Sequence, residues 1–296
     1  MPELPEVETI RRQLVKDLVG KKIQEVKILV PKLIKETSPV LFRRKIIGQE
    51  IINIRRRGKY LIFDLGHKPS LYLQVHLKLS GQLFYHPSPS PLPTGERIKL
   101  KKNISHPTVK MIEVNREITH HLLFLFKDGS RLYYHDLRRF GGFTLRNEDP
   151  ETELNLGPEP LTSAFTFECW KQIIFGKNSR IKTFLLDQHR IAGLGNIYAA
   201  EVLFWANIHP DRRVSTLKPE ETKKLYQAIK SILEKAIKAG GTSIQDYLKP
   251  DGSYGKFQKS LFVYRRKGQP CFRCGNLIRA QKDGSRSTYF CPACQK

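Results

Sequence analysis

The chain has 296 residues, with 52 Lys and Arg against 28 Asp and Glu, a net charge of +24. Its length exceeds what one core usually supports, and 40% of its residues are hydrophobic, which predicts two domains and excludes wholesale disorder. No apolar run approaches the ~20 residues of a bilayer crossing, and Glu3, Glu6 and Glu8 rule out a secretory signal, so the expected partners are polyanions, nucleic acid first and an anionic membrane surface second.

The first predicted element is a helix. Pro5 suits its first position, Glu6 and Glu8 suit the positive end of its dipole, and Gly20 can close it. Val7, Ile10, Leu14 and Leu18 repeat at helical spacing. Strand-like runs rich in branched and aromatic residues follow at 23–30, 60–65, 71–79, 121–126 and 131–135, with a hairpin turn at 127–130. Many strands in succession predict an antiparallel sandwich behind one helix. Pro87, Pro89, Pro91 and Pro93 cannot form a ladder, so residues 87–116 read as a basic surface excursion carrying Lys99, Lys101 and Lys102.

From about Glu148 the pattern turns helical. Short helices are expected at 166–175 and 179–186. Gly193-Leu-Gly195 breaks the chain before a helix at 197–205, and Pro219 opens a longer one, stopped by Gly240-Gly241. Glycines and mixed charges from Lys249 to Lys259 suggest a mobile loop. Residues 262–296 hold eight Lys and Arg against Asp283 alone.

Four of the five cysteines lie in that last segment, as Cys271-x2-Cys274-x16-Cys291-x2-Cys294. Two close pairs offer four thiolates to one tetrahedral zinc, a closed site that holds the fold and does no chemistry. Two disulfides are the alternative, and nothing else marks an oxidising compartment. Cys169 reads as a small buried hydrophobe.

The N-terminus points to an enzyme. With Met1 removed, Pro2 becomes a free secondary amine, and an α-amino group titrates near pH ~8, so part of it is neutral and nucleophilic at pH 7. A secondary amine attacking a sugar C1′ makes an iminium, an electron sink. Glu3 is placed to donate a proton, and Glu6, in the first helical turn, to orient the amine. Ordinary helix capping explains the same residues, and on physical grounds alone it is the stronger reading.

MPELPEVET (1–9), RRGKYL (56–61), HLKLSG (76–81), DLRRFGG (136–142), LGPEPL (156–161), GLGNIYAAE (193–201), HPDR (209–212), GGTS (240–243) and the cysteine ribbon together resemble the formamidopyrimidine-DNA glycosylase family of bacterial base-excision enzymes, nearly end to end. The resemblance implies an α+β protein. An N-terminal helix and antiparallel two-sheet β-sandwich fill 1–146, a helix–two-turn–helix domain 147–241, a lesion-capping loop region 242–261 and a zinc ribbon 262–296. It implies excision of oxidised purines from duplex DNA and strand cleavage through a Schiff base on Pro2, with β- and δ-elimination. Pro2, Glu3, Glu6, Lys59 and Arg286 are the implied catalytic set, Arg286 gripping the lesion phosphates.

DNA contacts are implied for His76, Arg139, Lys182 and Asn196. Asn196 opens a helix whose N–H groups form a natural phosphate site, with N-capping as its alternative. Lys182 and Lys59 read otherwise as solvated lysines, though Arg55, Arg56 and Arg57 suggest a DNA-facing edge around Lys59. An extruded base leaves a hole, filled by implication with Leu79, Arg138 and Phe140. Leu79 stands where the family is expected to have methionine, which puts opposite-base preference in doubt. Core packing is the alternative for Phe140. The resemblance further implies one structural Zn2+, a monomer, no membrane partner and a cytoplasmic bacterial setting. An endonuclease VIII-like enzyme for oxidised pyrimidines shares the terminus and ribbon; Leu4 and the Arg138-Arg139-Phe140 run favour the purine enzyme. A non-catalytic zinc-ribbon DNA binder is the remaining reading.

Overall fold

The computed structural model describes residues 2–66, 71–87, 97–99, 117–244, 247–284 and 286–296. The elements run α1 (Leu4–Leu18), β1 (Ile23–Ile28), β2 (Ile34–Lys35), α2 (Pro39–Ile46), β3 (Ile51–Arg57), β4 (Tyr60–Leu65), β5 (Leu71–His76), β6 (Gly81–His86), β7 (Arg97–Lys99), β8 (Glu117–Thr119), β9 (Leu122–Phe126), β10 (Arg131–Asp136) and β11 (Gly142–Arg146) in the first half. The second half holds α3 (Pro150–Glu153), α4 (Phe167–Ile174), α5 (Ile181–Leu186), α6 (Asn196–Ala206), α7 (Pro219–Lys238), β12 (Arg279–Asp283) and β13 (Arg286–Phe290).

Two sheets face each other in the first half. One has the order β1-β9-β10-β6 and the other β2-β11-β5-β4-β3, antiparallel throughout except where β11 lies parallel to β2. Their inner faces supply Phe63, Leu73 and Val75 from one side and Leu83, Phe124 and Leu132 from the other to a single core. The expected strand at 71–79 ends at His76, because Leu77–Ser80 turn from one sheet into the other. Of the expected 87–116 excursion, β7 is described and pairs with β8, which starts just past its end, as a two-stranded ribbon; residues 88–96 and 100–116 lie outside the described residues.

α1 joins this core to the next. Val7, Ile10, Leu14 and Leu18 pack into the sandwich, whereas Leu4 belongs to the second cluster, among Ile191, Leu194 and Tyr198. The helix begins one residue earlier than Pro5 suggests, with Glu3 at the N-cap. That offset places the acidic start of the chain at the seam between the two cores.

The second core is built around α6. This helix is buried on nearly every side, with Tyr198, Val202 and Leu203 fully inside, so it shows no amphipathic stripe. One face carries Glu201, fully buried, whose carboxylate accepts the N–H groups of Phe262, Val263 and Tyr264 at 2.8–3.0 Å. Burial raises its pKa, and those three donors oppose the rise. The entry to the terminal ribbon is thereby pinned to α6. Among the described residues no helix is long and apolar enough to cross a membrane.

Candidate active site

The site forms where the start of α1 meets the start of α6. Pro2 is buried there. Glu3, 2% exposed, sends its carboxylate across to α6, where it accepts the N–H groups of Gly195 at 2.8 Å, Ile197 at 2.9 Å and Tyr198 at 3.3 Å. A helix N-terminus offers unpaired N–H groups and positive dipole to an anion. Here that anion is a side chain from the far end of the sequence. Gly195 is the N-cap, not Asn196, and a Cβ on it would lie 2.3 Å from Glu3 Cδ. Three of the N–H groups expected to offer a phosphate site at this helix start are therefore taken by Glu3. The Asn196 amide instead donates to the Ser287 carbonyl on the ribbon at 3.0 Å.

Glu6 lies one turn in and is 1% exposed. It accepts the Glu3 N–H at 2.8 Å, the Tyr198 hydroxyl at 2.5 Å and the Thr242 N–H at 2.7 Å. Burial, then the nearby Glu3 charge, push its pKa up to about 7 against those hydrogen bonds. A carboxylate poised there can take or give a proton at neutral pH. Lys59 is 9% exposed and donates to the Leu194 carbonyl at 2.7 Å. Burial, and secondarily Arg286, lower its pKa, while Glu3 and Glu6 act the other way. The solvated alternative for Lys59 does not hold.

The flanking arginines do not form a DNA-facing edge. Arg55 is paired with Asp64, Asp149 and Glu151 at 2.6–3.0 Å. Arg56 bridges Glu8 at 3.0 Å and Glu159 at 2.7 Å, and Arg57 donates to the Leu156 carbonyl and Glu159. Glu159 also accepts the Gly58 N–H. Burial pushes the Glu8 pKa up, but Arg11, Arg12 and Arg56 outweigh it and hold it at about 2. These arginines tie β3 to the segment leaving the sandwich, and Lys59 sits next to that knot.

His76 ends β5 with its ring edge-on to Tyr60, centroids 4.4 Å apart. Its Nδ1 accepts the Lys78 N–H at 2.9 Å, so the neutral ring carries its proton on Nε2. Burial, then Lys78 and Lys59, lower its pKa to about 3. Leu79 is half-buried in the turn after it, whereas Arg138, Arg139 and Phe140 project from the turn between β10 and β11. Phe140 is 59% exposed, so it is no core residue.

Lys182 is 2% exposed, donates to the Thr288 hydroxyl and lies 3.9 Å from Asp283, which overturns its reading as a solvated surface lysine. Burial lowers its pKa, with Asp283 opposing and Arg286 reinforcing. Arg286 is exposed at the start of β13, and its charge reaches both Lys59 and Lys182. The segment expected to cap a lesion is rooted here too. The Thr242 N–H donates to Glu6, Gly255 N–H to Ser243 Oγ and Tyr85 N–H to the Pro250 carbonyl, so its described residues are tied down at several points.

The four cysteine sulfurs lie within 4.8 Å of one another. Cys271 and Cys294 are 3.9 Å apart and Cys274 and Cys291 3.5 Å. Zn–S bonds of about 2.3 Å in a tetrahedron place sulfurs about 3.8 Å apart, so this donor set fits one structural zinc.

Tyr198, Thr242, Glu159 and Glu201 have no role in the sequence reading. The only signal for two of them is a polar side chain inside an otherwise apolar helix.

Residues 1–143 match the N-terminal domain of formamidopyrimidine-DNA glycosylase, 156–247 its H2TH domain and 268–296 the zinc finger found in FPG and IleRS. The chain belongs to the formamidopyrimidine-DNA glycosylase family. Formamidopyrimidine-DNA glycosylases of Carboxydothermus hydrogenoformans and Listeria innocua are 40% and 38% identical to it, across all of both chains in each case. The Lactococcus lactis Fpg in complex with DNA containing an abasic site superposes with a TM-score of 0.83 at 35% identity over 99% of each chain. A MutM bound to DNA containing carbocyclic 8-oxo-G gives 0.82 at 36% over the whole of both. Membership makes this protein a DNA-repair glycosylase, an α+β DNA-binding enzyme with a zinc ribbon.

Proposed function

We propose that this glycosylase removes oxidised purines such as 8-oxoguanine from duplex DNA and then cuts the abasic strand, with Pro2 as nucleophile. The observation that carries the reading is the buried acid pair held against the imino end of the chain, Glu6 fixing the Glu3 N–H one residue from Pro2. The Pro2 nitrogen attacks C1′, and the C1′–N bond to the base breaks, its electrons leaving with the base. Glu3 delivers a proton to the sugar ring oxygen as the ring opens to an iminium. A C2′ proton then passes to water as the C3′–O bond breaks and the 3′ phosphate leaves. A second proton lost to water accompanies departure of the 5′ phosphate, and hydrolysis of the iminium frees Pro2. Glu6 receives the amine proton, and Lys59 with Arg286 supplies positive charge for the flanking phosphates. His76, Arg139 and Asn196 fasten the backbone, Lys182 lies near the damaged base, and Leu79, Arg138 and Phe140 fill the vacated stack. A single lesion engages one copy, so the protein works as a monomer, in the cytoplasm, with the catalytic sandwich at 1–146, the helix–two-turn–helix domain at 147–241, the lesion-capping loop region at 242–261 and the zinc ribbon at 262–296.

Two relatives support the substrate. A Lactococcus lactis FPG mutant was solved with Fapy-dG DNA and a MutM with 8-oxo-G DNA. Borohydride added to the protein and an 8-oxoguanine duplex is expected to trap a covalent adduct that Pro2→Gly abolishes. No adduct from protein whose N-terminal proline is verified free overturns the proposal. Faster excision of thymine glycol than of 8-oxoguanine would move the assignment to oxidised pyrimidines.

A further inference from the structure

The two turns that carry Leu79, Arg138 and Phe140 share one buried carboxylate that does not touch the catalytic terminus. Residues 77–80 take the chain from β5 in one sheet to β6 in the other, and 137–141 take it back from β10 to β11. Because β5 pairs with β11 and β6 with β10, the two crossovers lie side by side. Asp136, fully buried, stands between them. Its Oδ1 accepts the Ser80 hydroxyl at 2.5 Å and the Arg138 N–H at 3.2 Å. Its Oδ2 accepts the Gly141 N–H at 2.7 Å and the Tyr134 hydroxyl at 3.1 Å. The Arg138 N–H is shared with Ser80 Oγ at 3.0 Å.

Two glycines are shaped around this hub. A Cβ on Gly141 would lie 1.8 Å from Tyr134 Oη, and one on Gly81 would lie 2.6 Å from the same atom. Each turn also holds a non-glycine residue in the left-handed region, Lys78 at φ 51° and Arg139 at φ 54°. Such conformations persist only where the surroundings over-determine them. The hub supplies that constraint on both turns at once, while the Arg138 and Phe140 side chains stay exposed above it.

We propose that Asp136, through Ser80 and Tyr134, is the positioning residue that sets where Leu79, Arg138 and Phe140 meet the duplex, and so determines how strictly the base opposite the lesion is read. The inference rests on the function proposed above, with these three side chains as the wedge. Four donors converge on Asp136, and only an ionised carboxylate accepts all of them; an amide presents two donors of its own. A side chain reads a base edge through hydrogen bonds of fixed geometry, so small displacements of Arg138 erode selectivity. Among the described residues no hydrogen bond joins Asp136 to Pro2, Glu3 or Glu6, so the chemical step itself should be spared.

The test uses the full chain with 8-oxoguanine opposite cytosine, 8-oxoguanine opposite adenine and a pre-formed abasic site. In Asp136→Asn the cytosine-to-adenine excision ratio should move toward unity by roughly five- to tenfold. Borohydride trapping on the abasic site should stay within about threefold. Ser80→Ala should shift the ratio in the same direction, and Ser80→Thr, which restores a hydroxyl, should recover it. An unchanged ratio in folded Asp136→Asn, or an equal fall on all three substrates, overturns the proposal. Should Asp136→Asn not fold, an unchanged ratio in Ser80→Ala overturns it. Wild-type protein inactive on every 8-oxoguanine duplex would refute the underlying function instead.

Discussion

Glu6 and Glu8 lie two residues apart on one helix and are driven in opposite directions. Glu6 is buried among neutral donors and beside Glu3, which raises its pKa to about 7; Glu8 is buried among three arginines, which lower its own to about 2. A raised folded-state value favours the protonated form. The Glu6 contribution to stability is therefore complete below its unfolded value of 4.5 and is lost as pH rises to about 7. Glu8 behaves inversely. Its contribution is present above 4.5 and lost as pH falls toward 2. The same logic gives a kinetic prediction. If Glu6 takes the amine proton, adduct formation should rise with pH through an acidic limb near 7. Tyr198→Phe removes a donor that stabilises the carboxylate, so the limb should move to higher pH, by up to about one unit. Trapping rates measured from pH 5.5 to 9 would show it; a limb that stays in place assigns the proton acceptor elsewhere.

At the scale of elements, the contact between α1 and α6 depends on a glycine. Gly195→Ala places a methyl group against the Glu3 carboxylate. We expect excision to fall by at least ~100-fold and stability by roughly 2–4 kcal/mol, read by single-turnover kinetics and urea denaturation. Arg56→Ala leaves Glu8 and Glu159 facing each other with one cation fewer. Because Glu8 keeps Arg11 and Arg12 and Glu159 keeps Arg57, losing these part-buried charge-assisted contacts should cost about 1.5–3 kcal/mol, seen as a lower urea midpoint.

How far these elements could be read from sequence followed how locally they are specified. α1, β4 and α7 were legible from apolar periodicity and from prolines and glycines at their ends, and β4 ran over 60–65 as expected. The strands at 51–57, 81–86 and 142–146 carry no clear local signal, because arginines or glycines interrupt their pattern and cross-strand partners determine them. Glu3, Glu6 and the cysteine quartet were legible by position and spacing. The partners of Glu3 and Glu6 were not, since a hydrogen bond to Gly195 or Thr242 spans 192 or 236 residues. The Arg55–Arg57 run misled for the same reason: its carboxylates lie at Glu8, Asp64 and 149–159.

The whole molecule joins a sandwich that folds around its own core to a ribbon that depends on metal. Cys271, Cys274, Cys291 and Cys294 hold the ribbon together, and Arg286 and the Ser287 contact to Asn196 ride on it. Stripping zinc should abolish DNA binding while the β-sandwich signal in circular dichroism survives. Retention of binding after complete removal would remove Arg286 from the interface. The net charge of +24 makes a second prediction at this scale. The logarithm of the binding constant should fall steeply and linearly with the logarithm of salt concentration, as phosphate contacts displace counterions.

The tie between Glu3 and α6 has a consequence for how the protein comes into being. On a ribosome, the residues that would perform chemistry are made early, but their carboxylates have nothing to grip until Gly195, Tyr198 and finally Thr242 have been synthesised. If Pro2 acts as proposed, removal of Met1 during synthesis would free its amine well before the buried contacts of Glu3 and Glu6 can form, so the centre would assemble only once the second half of the chain is made.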